Sequence, residues 1–166
     1  MKNTRLFSLE LGRLLRTPTT WLVILLTVLS PLVGLFLYRP TTSTTLGTFL
    51  ANPALAGGIV GGVLFALLTL YEWDRVQRGR MEPLMDALLS PLTAAWIRLL
   101  AMMATALLAL SITLLGWLPY SMVAAGSVFD GLTYLLCYLL FMGMALPLSI
   151  LLAASAYQFT RRFDLS

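Results

Sequence analysis

Four stretches of this chain contain no Lys, Arg, Asp or Glu: residues 17–38, 40–71, 99–129 and 131–160. Each is rich in Leu, Val, Ile, Ala and Phe. A helix rising 1.5 Å per residue needs about 20 apolar residues to cross roughly 30 Å of hydrocarbon. Each stretch therefore holds one span, placed at 21–38, 53–71, 97–118 and 132–156. The second stretch does not hold two spans, because residues 41–48 are polar and Pro40 and Pro53 bracket a connector. With 59% hydrophobic and 11% charged residues, a soluble fold would lack the polar surface to stay dispersed. The expectation is an all-α polytopic membrane protein with one transmembrane domain, residues 1–166.

Charge placement sets the expected orientation. With the N-terminus in the cytoplasm, ten of the eleven basic residues fall on inside segments and only Arg39 lies outside. The positive-inside rule then gives an N-in, C-in topology. The net charge of +4 belongs to one membrane face, and anionic lipid accounts for it without nucleic acid. The first apolar run is too long for a cleaved leader.

Residues 1–17 precede the first span. At 100° per residue Phe7, Leu11, Leu14 and Leu15 share one face, while Arg5, Gly12, Arg13 and Arg16 gather on the other. Leu6 and Leu9 fall off the apolar face. This pattern predicts a cytoplasmic amphipathic entry helix at the interface, bending at Thr17-Pro18 into span one. A basic leader that only fixes orientation is the plainer alternative.

The spans lack the groups that intramembrane chemistry uses. No ionisable residue stands near the middle of any span, the chain has no His, and Cys137 is its only cysteine. Proton relays and metal sites within lipid rest on such groups. The loops show no nucleophile and base pair, no P-loop and no Cys/His cluster. No catalytic, cofactor or metal residue is assigned, and a non-enzymatic chain is expected. Cys137 reads as a small packing residue. Gly57, Gly58, Gly61 and Gly62 form two overlapping GxxxG pairs on one face of span two, suited to close helix packing within the chain or between subunits. Pro31 and Pro147 should kink or loosen spans one and four. Tyr38, Tyr71, Trp96, Trp117 and Tyr120 form interfacial belts.

Between spans two and three lies the expected cytoplasmic loop, residues 72–96. The interval from Glu72 to Arg98 carries four basic residues (Arg75, Arg78, Arg80, Arg98) and four acids (Glu72, Asp74, Glu82, Asp86). Pro83 suits the first turn of a short helix, Glu82 favours its N-terminal end and Pro91 stops it. Leu84, Met85, Leu88 and Leu89 fall on one face of that helix, a ridge with Arg78, Gly79 and Arg80 at its entry. Such a helix fits a groove on a soluble partner or lies against lipid and the protein's own spans.

The order of parts, with RLLRTPTTW entering span one and RGRMEPLMDALLSPLTAAWIRLLA between spans two and three, resembles the membrane subunits of ABC-2 type exporters. The matching positions are Gly79, Glu82, Leu84, Pro91 and Arg98. The resemblance implies that residues 78–91 form the coupling helix that touches an ABC ATPase subunit. Arg78, Gly79, Arg80, Glu82, Leu84, Met85, Leu88, Leu89 and Pro91 would then be the contact residues. It further implies ATP and Mg on that subunit, none bound by this chain, a second permease copy or a homologous permease as partner, and a prokaryotic inner membrane.

Arg80 stands where many members have Thr or Ser, and the interval from Glu82 to Pro91 is longer than in many. Family permeases generally have six spans and this chain supplies four. The sequence is then an N-terminal portion, a chain completed by helices from another, or a reduced relative. A different class also fits the bare spans: a non-transporting four-helix scaffold or anchor subunit of a larger complex.

Overall fold

The computed structural model describes residues 2–37, 46–78 and 91–164, and among these no strand occurs. Helix α1 spans Lys2–Arg16, α2 Pro18–Leu29, α3 Pro31–Leu37, α4 Leu46–Arg78 and α5 Pro91–Ala125. A 3-10 turn at Gly126–Val128 leads to α6, Gly131–Cys137, then a π turn at Tyr138–Met142 and α7, Gly143–Asp164. Four segments are long and apolar enough to cross a membrane: Pro18–Leu37, Gly47–Arg75, Leu92–Val128 and Gly131–Thr160. By length and composition the chain is a multi-pass membrane protein.

The helices overrun the spans expected from hydropathy. Charged residues at the end of α4 continue the helix, because Glu72 and Arg75 pair one turn apart and the backbone has no reason to stop where lipid does. Pro53, expected to flank a loop, lies inside α4. It removes one backbone donor, which a packed neighbouring helix lets a membrane helix tolerate. Pro91 opens α5 as its first residue, where a missing N–H costs nothing.

The first span is two helices. Pro31 offers no N–H to the Thr27 carbonyl; Ser30 supplies both its backbone N–H, at 3.3 Å, and its hydroxyl, at 2.6 Å, to that oxygen. The indole N–H of Trp117 on α5 donates to the Val28 carbonyl at 2.8 Å. The Thr27 and Val28 carbonyls at the break thus find donors from their own turn and from across the bundle. Span four carries Pro147 within α7. Its irregularity is the π turn, closed by the Gly143 N–H on the Tyr138 carbonyl, directly before the carbonyl that Pro147 leaves without its usual donor.

Consecutive spans run in opposite directions. Arg13 meets Glu72 and Trp73 meets Tyr157 at one end. Trp117 meets Val28 and the Tyr134 hydroxyl meets the Leu114 carbonyl towards the other. Helix α4 is the centre, packing against α2, α3, α5, the π turn and α7. Phe65, Met142, Leu146 and Ile150 are fully enclosed around it. Buried hydroxyls of Thr69, Thr105 and Thr113 donate to carbonyls four residues back on their own helices, which satisfies them without a ligand.

Close approach here is a matter of packing, since lipid offers no hydrophobic gain for bringing helices together. A Cβ on Gly58 would lie 2.7 Å from the Phe141 carbonyl oxygen, and one on Gly34 2.5 Å from that of Asn52. Both obstacles are backbone, so only glycine fits. A Cβ on Gly61 would meet the Thr27 methyl at 2.9 Å. At Gly57 and Gly62 the nearest atoms stand at 3.4 and 3.6 Å, ordinary contact distances.

Candidate functional site

Of the residues expected to contact a partner, Gly79, Arg80, Glu82, Leu84, Met85, Leu88 and Leu89 lie outside the described residues. Arg78 ends α4 and Pro91 starts α5, so the structure fixes the two stems of that segment. What it places between and beside the stems is a knot of charge that joins α1, α4 and α5.

Glu72 is its centre. The residue falls in the expected loop, yet it sits on α4 with only 2% of its surface exposed. Arg13 of α1 reaches it at 2.8 Å and Arg75 at 3.4 Å. Arg13 also grips Glu10 one turn back, at 2.9 Å through one amino group and 3.2 Å through its Nε. Arg98 of α5 completes the set, its Nε 3.9 Å from Glu10 Oε1. That separation is an ionic contact and too long for a hydrogen bond. The Arg98 Nε and the Trp73 indole N–H are buried and find no hydrogen-bond partner among the described residues. Both residues line a cavity of about 10 Å³ together with Glu10, Arg13 and Glu72.

The electrostatics follow from the geometry. Burial pulls the Arg13 pKa down, but the hydrogen bond and charge of Glu10, then the charge and hydrogen bond of Glu72, outweigh it and leave the value raised. Arg13 is therefore a fixed cation. A carboxylate as buried as Glu72 persists only with such a partner. Removing either side leaves the other uncompensated.

The apolar face of α1 is spent inside the molecule. Leu14 is 1% exposed, and Phe7 and Leu11 pack against the same core. Thr17 takes an extended conformation, φ −83° and ψ 129°, and Pro18 follows at the first position of α2. The Thr17 hydroxyl donates to the Leu14 carbonyl at 2.6 Å, and the Trp21 indole N–H to that of Leu15 at 2.7 Å. The corner is held, so α1 is docked on α5 and not swung free.

Sequence reasoning read Arg13 as part of the polar face of an interfacial helix and Glu72 as a loop residue, and it missed their pairing. The only signal was two opposite charges at the ends of two apolar runs, 59 positions apart. Among the described residues no group of three His, Cys, Asp or Glu side chains could hold a metal. The arrangement has no nucleophile beside a base. Ion pairs tie the ends of α1, α4 and α5 together, beside the two helix ends, Arg78 and Pro91, that flank residues 79–90. No protein family, curated protein or solved structure matches this chain.

Proposed function

We propose that this chain is a membrane-spanning permease subunit of an ABC-2 type exporter, with its α1 end in the cytoplasm of a prokaryotic inner membrane. A separate ATPase subunit docks on residues 78–91 and supplies the energy. The observation that supports this reading most is the buried Glu72 knot. A segment that only connected two spans would need no buried carboxylate at its stem, and one that receives force needs stems that move together. Displacement of residues 79–90 by a partner would pass to α4 through Arg78, to α5 through Pro91 and to α1 through Arg13 and Glu72.

The positive-inside pattern and the likeness of RGRMEPLMDALLSPLTAAWIRLLA to family members support the same assignment. The test is coupling. Substituting Glu82→Arg together with Leu88→Asp should abolish transport while leaving membrane insertion intact. Transport equal to wild type in that double variant overturns the docking surface.

A scaffold or anchor subunit is the second reading. It is favoured by close packing among the described residues, where the cavity lined by Leu50, Trp117, Ser121 and Tyr138 measures about 10 Å³, far below any solute. An exporter answers this by forming its path between two permeases. The two readings separate on ATP: an anchor complex is unchanged by it.

A further inference from the structure

The outer side of α1 carries a shallow, open groove lined by Ser8, Leu9, Gly12, Arg13, Arg16 and Thr17. These positions repeat along one face of the helix at intervals of four. Gly12 forms its floor, and a Cβ there would meet nothing within 4 Å. The groove's acids are withdrawn to the far edge of Arg13: Glu72 is 2% and Glu10 16% exposed, against 35% for Arg13. Arg16 is exposed. The open side is thus cationic although the knot behind it is nearly balanced.

Two further features fix the depth and the kind of ligand. Leu9 is 70% exposed directly beside these guanidiniums, a pairing of bare apolar surface and charge that suits the boundary between headgroups and acyl chains. Trp21, 49% exposed and tied to the Leu15 carbonyl, marks the start of the span one turn beyond the groove, the level at which indoles settle. The Arg16 guanidinium and the Arg13 amino group not engaged by Glu10 and Glu72 stand over an open floor, donors that suit phosphate oxygens.

We propose that this groove binds the headgroup of an anionic phospholipid, with Arg16 and the exposed edge of Arg13 on the phosphate, Gly12 as the floor and Leu9 against the first acyl carbons. Bound there, the lipid ties α1 to the bilayer on the side opposite the Glu72 knot. The proposal rests on the membrane reading alone and stands whether the chain is an exporter subunit or an anchor.

The test is native mass spectrometry of the protein from mixed phosphatidylglycerol and phosphatidylcholine nanodiscs, counting phosphatidylglycerol retained as detergent is raised. Wild type should hold one phosphatidylglycerol more tightly than the rest. Gly12→Leu fills the floor without changing charge, its Cβ meeting nothing within 4 Å, and it should lose that lipid. Arg16→Gln should weaken it about fivefold, the usual effect of one cation near a charged surface. Arg5→Gln, a charge change outside the groove, should leave it. Unchanged retention in Gly12→Leu overturns the site, and equal weakening in Arg5→Gln reduces it to general attraction and overturns it too. Displacement of the retained lipid by millimolar inorganic phosphate would show a soluble-phosphate site and contradict the lipid assignment.

Discussion

The middle and the end of α4 are held by opposite means. At Gly58 the helix approaches the π turn so closely that a single carbon would strike backbone. Fourteen residues on, at Glu72, the same helix is held at longer range by charges that side chains deliver from α1 and from its own next turn. The contact at Gly58 is rigid, because backbone cannot give way. The contact at Glu72 is adjustable, because arginine has four rotatable bonds and two acids to choose from. A bundle that transmits motion at one end and keeps its register in the middle would divide its contacts in this way.

Six substitutions break or sharpen that contrast. Gly58→Leu should have the largest effect, a loss of about 3 kcal/mol or more from forced backbone separation, even though leucine is the better helix former. Unfolding by denaturing detergent, followed by circular dichroism, measures it. Gly62→Ala, one turn along the same face, should be neutral or slightly stabilising, and a loss as large as at Gly58 would contradict the distances.

Arg13→Leu comes next, at about 2 kcal/mol, because among the described residues it leaves Glu72 buried with only Arg75 for a partner; a fully enclosed pair would cost more. Adding Glu72→Gln to Arg13→Leu should recover part of that loss, and strict additivity would mean that the two do not act as a pair. Trp117→Phe removes the donor to the Val28 carbonyl and should cost about 1 kcal/mol, read in the same unfolding assay.

The smallest effect is at Asp130, the cap of α6. Its carboxylate accepts from the Thr133 hydroxyl, the Thr133 N–H and the Leu132 N–H, and these bonds hold its pKa below the usual carboxylate range. A lowered folded value means that the cap is fully formed above the ordinary carboxylate pKa and is lost as pH falls through the folded one. Amide exchange at Leu132 and Thr133 should speed up in acid relative to neighbouring amides, and Asp130→Ala should abolish that pH dependence.

The spans were legible because charge is so costly in lipid that a run of about 20 apolar residues without any marks where the hydrocarbon lies. Helix ends were less so. Hydropathy reports where lipid stops, and α4 and α5 continue beyond it into the charged segment. Pro53 shows why proline misleads in membranes: expected to bracket a connector, it lies inside α4, where packed neighbours make a missing donor tolerable. The glycine face was visible as spacing, but which glycines matter depends on where a partner backbone runs. Gly34, a single glycine in span one, proved as tightly confined as Gly58. The Glu72 knot was the least legible feature, since no local pattern joins residue 13 to residue 72.

The claim that residues 78–91 dock an ATPase is tested most directly by purifying this chain from its native membrane in mild detergent and identifying what stays bound by mass spectrometry. The account predicts an ABC ATPase in near-equal amount, lost when Leu84 and Leu88 are both changed to Asp. A reproducible complex without an ATPase would contradict it and make the chain a structural subunit.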